Sequence, residues 1–408
     1  MRVDDTREFI PFHVPSIGEE EIVEVVATLR SGWLTTGART SRFEQSFAQY
    51  VGAPHAIALN SCTAALHLAL AGLGIGPGDE VITTPLTFCA TINTILQVGA
   101  TPVLADIRPD GNIDPEAIRR KITPRTRAIV PVHIGGLACD MQAIWEIAKQ
   151  HNVRVIEDAA HAAGTLYRGR PIGSAQPNGY ASDAVAFSFY ATKGMTTGEG
   201  GMLTTHNPEL ANTVRILALH GISKDAWKRY AKDGDWFYEV VACGFKYNMS
   251  DIQSAIGIHQ LSRVEEFINV KTQYAKIYND SFVGVDELEI PPDQSSSRHS
   301  WHLYVLRLNL AKLDTDRKTF IHELQRANIG CSVHFIPIPL HPYYANSDFT
   351  KSCPCPQALE LYKRIISLPI YPAMSEEEVR YVASTVKRIV FQNRKQTKVS
   401  VLSTAAVK

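Results

Sequence analysis

Net charge is the first thing this 408-residue chain lacks: 41 Lys and Arg stand against 41 Asp and Glu. No overall field draws it to nucleic acid or to an anionic membrane, so an anionic ligand has to be held by a local site. Long apolar runs are missing too, and no stretch approaches the roughly 20 residues of a membrane-spanning helix. The opening MRVDDTREFIPFHVPSIGEEE is too polar for a secretory signal. Cysteine is sparse and odd in number: Cys62, Cys89, Cys139, Cys243, Cys331, Cys353 and Cys355. That scattered set fits a reducing cytoplasm better than a disulfide framework. Cys353-Pro-Cys355 is the one close pair; its spacing is wrong for a zinc ribbon, so it reads as a loop without metal.

Two phosphate fingerprints are also absent. GLGIGPGDE (72–80) fails G-x-G-x-x-G because position 77 is Pro. The run follows a helical pattern and precedes a strand, the reverse of a dinucleotide site. It reads as a helix stop and turn, which disfavours an NAD-dependent dehydrogenase. No Walker A match occurs either.

What is present is ordinary for a soluble globular protein: 45% hydrophobic and 20% charged residues. The length suits two to three domains, or one large domain with a smaller companion. From Gly18 to His206, helical and strand patterns alternate. Helices are expected over Glu19–Leu29, 61–74, 88–99, 114–122 and 141–152. Strands are expected over 55–60, 79–85, 101–107, 127–133, 153–158, 184–189 and 201–205. Val- and Ile-rich strands alternating with helices imply an α/β fold with a mainly parallel sheet, and ligands bind beyond the carboxyl ends of such strands. A long helix over Ile252–Val270 is expected to lead into a smaller α+β part, with strands over 305–310 and 331–337 and helices over 317–330 and 376–390. The expected division is 11–265 for the large domain, 266–393 for the small one, and a disordered tail over 394–408.

Polar clusters fall at the strand ends. In NSCTAALHLAL (60–70), a strand enters a helix N-terminus, where free N–H groups and the helix dipole suit a phosphate. Ser61 and Thr63 add hydroxyls, although Ser61 serves equally well as a simple N-cap. In VIEDAAHAAG (155–164), Asp158 closes an apolar strand. A carboxylate there can keep a pyridinium nitrogen protonated, or it can cap an Ala-rich helix, with His161 one turn on. In FSFYATKGMTTGEGG (187–201), Lys193 is the one lysine in a stretch of apolar residues and glycines. A secluded setting lowers a lysine's pKa and fits it for Schiff-base chemistry. Ser188 ends the preceding strand and offers another phosphate donor. Phe88 follows a strand end and can stack on a planar ring. A phosphate cradle, an acid for a ring nitrogen and a lysine for an aldehyde are together the handles of pyridoxal 5′-phosphate.

These residues carry a resemblance. SGWLTTG (31–37), NSCTAALHLAL, PLTFCATINTI (85–95), ADI (105–107), PVHIGG (131–136), VIEDAAHAAG, FSFYATKGMTTGEGG, KYNMSDIQSAIG (246–257), HFIPIPLHPYY (334–344) and LPIYP (368–372) resemble the DegT/DnrJ/EryC1/StrS family of PLP-dependent sugar aminotransferases. HGISKDAWKRY (220–230) and YEVVACGFKYN (238–248) resemble its members that aminate C4 of UDP-4-keto sugars. The resemblance implies the aspartate-aminotransferase-like fold (fold type I). It implies Lys193 as the catalytic amine, Asp158 at the ring nitrogen, His161 at the ring hydroxyl, Phe88 stacked on the ring, and Cys62, Thr63 and Ser188 at the phosphate. It implies that Asn248 reaches the cofactor of the other subunit in a homodimer, that Trp33 and His334 line the sugar site, and that no metal takes part. The expected substrates are L-glutamate and a nucleotide-linked keto sugar, in the cytoplasm. Cys62 stands where the family often has Gly, and Gly194 where it often has Asn. A sugar dehydratase on the same scaffold is the alternative, which loss of the lysine would signal; a non-catalytic PLP-binding regulator is another. Arg215, Lys224, Lys228, Arg229 and Arg298 could neutralise a diphosphate, but plain surface charge is the favoured reading of them.

Overall fold

A computed structural model of the chain describes residues 8–223, 237–292 and 297–395. Lys224, Lys228, Arg229 and most of the expected disordered tail lie outside the described residues. In chain order the strands are β1 (His55–Leu59), β2 (Glu80–Thr83), β3 (Thr101–Leu104), β4 (Thr126–Val130), β5 (Arg154–Asp158), β6 (Leu166–Tyr167), β7 (Arg170–Pro171), β8 (Ala184–Ser188), β9 (Gly201–Thr205), β10 (Leu288–Glu289), β11 (Ser297–Arg298), β12 (Tyr304–Leu308) and β13 (Ile365–Leu368).

Seven of them form one sheet in the order β1-β9-β8-β5-β4-β2-β3. β9 alone runs against its neighbours, pairing antiparallel with both β1 and β8. The sheet is buried on both faces, which is why its strands read as continuous apolar runs. Side-chain alternation splits each strand between two cores. Ala56, Ala58, Val185 and Phe187 join the core under the helices Ala38–Val51 and Met141–His151. Ile57, Leu59, Ala184 and Ala186 join the core under the helices Cys62–Gly72 and Pro208–Ala218. The parallel strands share a direction, so β1, β2, β4, β5 and β8 deliver their carboxyl ends to one edge.

The helix Asp251–Phe282 runs 32 residues, well past the expected end at Val270. Ser250 opens it with a reciprocal cap: Gln253 N donates to Ser250 Oγ at 3.3 Å, and Ser250 N donates to Gln253 Oε1 at 3.0 Å. Its first half packs Ile258, Leu261, Val264 and Ile268 into the sheet core. Its last turns pack Ala275, Tyr278 and Phe282 into a separate core built on the antiparallel sheet β10-β12-β13. Residues 265 and 266 therefore fall inside one continuous helix.

Three local expectations are corrected. The stretch 331–337 is not a strand. Ser332 and Ser367 exchange one pair of backbone hydrogen bonds, after which the chain turns away and Ile338 N donates to Pro85 O at 2.9 Å. Pro337 and Pro339, lacking N–H groups, deny it a ladder. The segment after Asp158 is a series of turns rather than a helix, with Ala162 N donating to Ala159 O at 2.9 Å. Cys353 and Cys355 lie in the expected loop and are joined as a disulfide, which the reading of a reducing setting does not anticipate. Among the described residues no helix is long and apolar enough to cross a membrane, and no group of three His, Cys, Asp or Glu side chains could hold a metal.

Asp106 of the ADI stretch ties the sheet edge to a distant helix. Its carboxylate accepts from Gln357 N at 2.9 Å and Ala358 N at 3.1 Å, at the start of the helix Pro356–Tyr362. Asp106→Ala is expected to destabilise the fold by about 1 kcal/mol, the usual weight of such a cap, read as a lower Tm.

Candidate active site

The converging strand ends enclose a cavity of about 440 Å³ whose wall includes Ser61, Cys62, Thr63, Phe88, Asp158, His161, Ser188, Lys193 and His334. They come from several breaks in regular structure. Ser61 caps the helix Cys62–Gly72, accepting from Ala64 N at 3.1 Å. The cap leaves three donors open: the backbone N–H groups of Cys62 and Thr63 and the Thr63 hydroxyl have no partner among the described residues. They stand at the positive end of the helix dipole, opposite the end of β8, where Ser188 Oγ only accepts a long 3.4 Å bond from Tyr190 N. This is a cradle with unfilled donors, the chemistry that a phosphate group satisfies.

A glycine makes the cradle possible. Gly201 lies between Leu59 and Ser188 in the sheet, and a Cβ there would sit 2.3 Å from the Ser61 carbonyl carbon and 2.5 Å from Cys62 N. Both atoms are backbone and cannot swing aside. Gly201→Ala is expected to destabilise the fold by about 1–3 kcal/mol and to weaken binding of the cofactor phosphate, checked by a fluorescence titration against wild type.

Asp158 ends β5, almost wholly buried. Its Oδ2 accepts from Thr91 Oγ1 at 2.8 Å and its Oδ1 from Ala160 N at 3.2 Å. Thr91 spends its proton on Asp158, so the 2.8 Å contact with Thr87 is a bond donated by Thr87. Burial nonetheless raises the Asp158 pKa, against the pull of Thr91, Ala160 and Lys193. The carboxylate is held in place but short of positive charge, which a protonated ring nitrogen would supply. Behind it, His133 Nδ1 accepts from Cys139 N at 3.1 Å, so its Nε2 proton faces Glu157 at 2.7 Å.

Lys193 follows Phe189 and Tyr190 on a turn closed by its own N–H to Tyr190 O at 2.9 Å. Its Nζ has no hydrogen-bond or ion-pair partner among the described residues. Burial lowers its pKa, with Cys62 and Asp158 pulling the other way. Burial also pushes the Cys62 thiol well up, so the sulfur is a neutral wall atom. His161 Nδ1 accepts from Gly135 N at 3.2 Å. Burial and the nearby Lys193 hold this imidazole neutral, so its proton is on Nε2, without a partner among the described residues.

Phe88 is 59% exposed at the rim, its ring 6.0 Å from Phe335. His334 stacks on Phe12 at 5.4 Å and meets Ser367 Oγ through Nδ1 at 2.9 Å. Burial, then Lys193, takes its pKa to about 4. Trp33 and Asn248 are not in this cavity. They line a second groove of about 420 Å³ with Thr36, Arg215 and Lys246. Asn248 Nδ2 donates to Thr36 Oγ1 at 2.7 Å and Trp33 Nε1 to Thr36 O at 3.1 Å. Asp251 fixes this turn by accepting from Gly37 N at 2.8 Å and Thr40 N at 2.9 Å. Arg298 is tied to Gly164 O at 2.7 Å and to Glu265.

Sequence reasoning missed Phe12, Thr87, Thr91, His302 and Phe335. Thr91 had a signal, lying one turn beyond Phe88 on the same helix start. His302 had a weaker one, in the RHSWH cluster. Phe12, far away in sequence, had none.

The unfilled donors, the under-compensated acid and the unpartnered amine fit pyridoxal phosphate, and the comparisons with known proteins agree. Residues 15–387 match the DegT/DnrJ/EryC1/StrS aminotransferase family. The spore coat polysaccharide biosynthesis protein SpsC of Bacillus subtilis is 50% identical over 390 residues, which covers 95% of this chain and 99% of that protein. Spr1654 from Streptococcus pneumoniae, solved in a PMP form, superimposes with a TM-score of 0.86 at 36% identity, covering 94% of this chain and 99% of that one. Its PLP form gives a TM-score of 0.85. PseC of Helicobacter pylori, an aminotransferase involved in the biosynthesis of pseudoaminic acid, gives 0.87 at 30% identity, covering 95% of this chain and all of that one (100%). The chain belongs to the DegT/DnrJ/EryC1/StrS family of sugar aminotransferases, which work with pyridoxal phosphate on the fold type I scaffold.

Proposed function

We propose that the enzyme moves an amino group from L-glutamate to the C4 keto carbon of a UDP-linked keto-deoxy sugar or pentose, in the cytoplasm, for a cell-surface polysaccharide, lipid or glycan. The observation that carries this reading is the unpartnered, buried amine of Lys193 sharing one cavity with Asp158 and an open helix N-terminus. The likeness to SpsC supports a polysaccharide pathway, and the stretches 220–230 and 238–248 support the UDP-linked, C4-directed choice.

Cys62 N, Thr63 and Ser188 hold the cofactor phosphate in this reading. Asp158 takes the ring nitrogen, His161 Nε2–H the ring hydroxyl, and Phe88 the ring face. Bound pyridoxal phosphate supplies an electron sink for the pair released when the donor's Cα–H bond breaks. Lys193 Nζ, whose pKa burial lowers, takes that proton in its neutral form and, once protonated, is the acid that returns one. In the second half-reaction the same amine delivers the proton to C4 of the sugar. L-Glutamate leaves as 2-oxoglutarate and the keto sugar as an amino sugar, so atoms and charge balance. His334 and Trp33 line the sugar site, and Asn248 completes the partner's phosphate site in a homodimer. Residues 11–265 act as the cofactor-binding domain and 266–393 as the smaller one.

The test is a panel of UDP- and dTDP-linked 3-keto and 4-keto sugars offered to the PMP form. Return of the PLP spectrum with a UDP-4-keto sugar and not with the others is the expected result. A preference for a dTDP-linked or 3-keto sugar overturns the substrate assignment.

A further inference from the structure

Asp158 is held by a chain of two threonine hydroxyls that takes no part in the proton transfers described above. Thr91 lies in the first turn of the helix Cys89–Gln97 and is 1% exposed. A threonine on a helix commonly turns its hydroxyl back to a carbonyl of the preceding turn. Thr94 does so, donating to Thr91 O at 3.1 Å. Thr91 instead donates across to β5, to Asp158 Oδ2 at 2.8 Å. Thr87, buried on the cavity wall, donates to Thr91 Oγ1 at 2.8 Å. The far end fixes the direction of the chain, because an ionised carboxylate only accepts.

Among the described residues, Thr91 is the one side chain that hydrogen-bonds to the Asp158 carboxylate. The other donor is a backbone group, Ala160 N, at 3.2 Å. The two bonds fall on different oxygens. They fix the rotation of the carboxylate and leave a lone pair free on each oxygen. Lys193, His133 and Cys62 are the titratable groups that act on Asp158, and none of them bonds to its carboxylate.

A buried carboxylate and a ring nitrogen can share one proton in two ways. The proton stays on the nitrogen as an ion pair, or it moves to the carboxylate and leaves both groups neutral. Burial favours the neutral pair. A hydroxyl donating to Oδ2 opposes that shift, since it stabilises the carboxylate more than the acid. We propose that Thr91, oriented by Thr87, is a positioning residue of this enzyme: it keeps Asp158 ionised and turned so that the cofactor's ring nitrogen retains its proton. The proposal rests on the assignment of Asp158 to the ring nitrogen made above.

The test loads the full chain with pyridoxal phosphate isotope-labelled at the ring nitrogen and reads that nitrogen by NMR at one pH. Wild type is expected to give the signal of a protonated ring. Thr91→Val keeps the shape of the side chain and loses the hydroxyl, so the signal is expected to move toward the unprotonated position. Turnover with L-glutamate is expected to fall about 10–100-fold, the weight of a hydrogen bond to a charged group, with KM and the cofactor Kd little changed. Thr91→Ser retains the hydroxyl and is expected to restore both. Thr87→Val leaves the bond to Asp158 in place and is expected to move the signal in the same direction by less.

A wild-type ring signal in Thr91→Val overturns the proposal, and so does a Thr91→Ser variant that behaves like the valine one. A lowered Tm and weaker cofactor binding with an unmoved signal make Thr91 structural. Should Thr91→Val fail to fold, Thr87→Val decides: a moved signal supports the chain of hydroxyls and an unmoved one overturns it. Asp158→Asn separates this proposal from the reading beneath it. If Asp158→Asn leaves the wild-type ring signal in place, the assignment of Asp158 has itself failed. If it moves the signal while Thr91→Val does not, only the role given to Thr91 has failed.

Discussion

Lys193→Ala is expected to lower turnover by about 10³-fold or more, the upper part of what a positioned general base contributes. The pKa direction explains why no neighbour can substitute. Burial lowers the Lys193 pKa, its side chain lines the cavity, and nothing among the described residues bonds to its Nζ. The other amine of this region, Lys271, faces Gly194 rather than the cavity wall. His161 and His334 are held neutral, but His161 Nδ1 is occupied by Gly135 N and His334 Nδ1 by Ser367. Pyridoxal phosphate is expected to remain bound through the cradle formed by Cys62, Thr63 and Ser188, but without the absorption band of the lysine-bound form. Stopped-flow absorbance with L-glutamate reads both effects, and near wild-type conversion in the variant removes Lys193 from the chemistry.

Asp158→Asn is expected to reduce turnover by about 10²–10³-fold, the scale reported for removing one preorganised electrostatic group from a closed site. The substitution keeps the size of the side chain and removes its charge. In the ligand-free protein Asp158 has two hydrogen-bond donors and a raised pKa. A cation arriving at Oδ1 or Oδ2 reverses that shift, and the same attraction raises the pKa of the ring nitrogen. The neutral amide offers no such gain, so the effect is expected on the proton-abstraction step more than on cofactor affinity. Primary isotope effects with α-deuterated L-glutamate check this. An unchanged rate of the deprotonation step sinks the role given to Asp158.

Much of the fold was legible because the sheet is buried on both sides. Runs such as HAIAL, EVIT and AVAFS leave no polar alternation to confuse a strand with a surface helix, and they fold as β1, β2 and β8. Ser61 was legible as a cap because its chemistry is local. The errors come from interactions between distant parts of the chain. CSVHFIP has the composition of a strand, yet Pro85 and Ser367 take its backbone bonds elsewhere. The alanines after Asp158 favour a helix, but Ala159 N donates to Ala186 O at 2.8 Å, and the segment is drawn across the sheet end as turns. At the site, Lys193 and Asp158 could be picked out because each is a charge set in an apolar run. Lys271, buried beside Gly194 but outside the cavity wall, could not. It stands among Asn, Val and Thr on a helix whose other lysine nearby, Lys276, is exposed and paired with Asp280, and nothing local says which of the two faces inward. Phe12 and His302 reach the cavity only because the long helix and the second core bring the N-terminal segment and the β11–β12 link together over it.

The most direct test of the central claim is a single turnover with isotope-labelled nitrogen. The PLP-loaded protein is given amino-labelled L-glutamate, freed of excess donor, and then mixed with a UDP-linked 4-keto sugar, with the product examined by NMR. The account predicts one 2-oxoglutarate per active site in the first step and the labelled nitrogen bonded to C4 of the sugar in the second. A sugar product that has lost water and carries no label, or no release of 2-oxoglutarate, would contradict it.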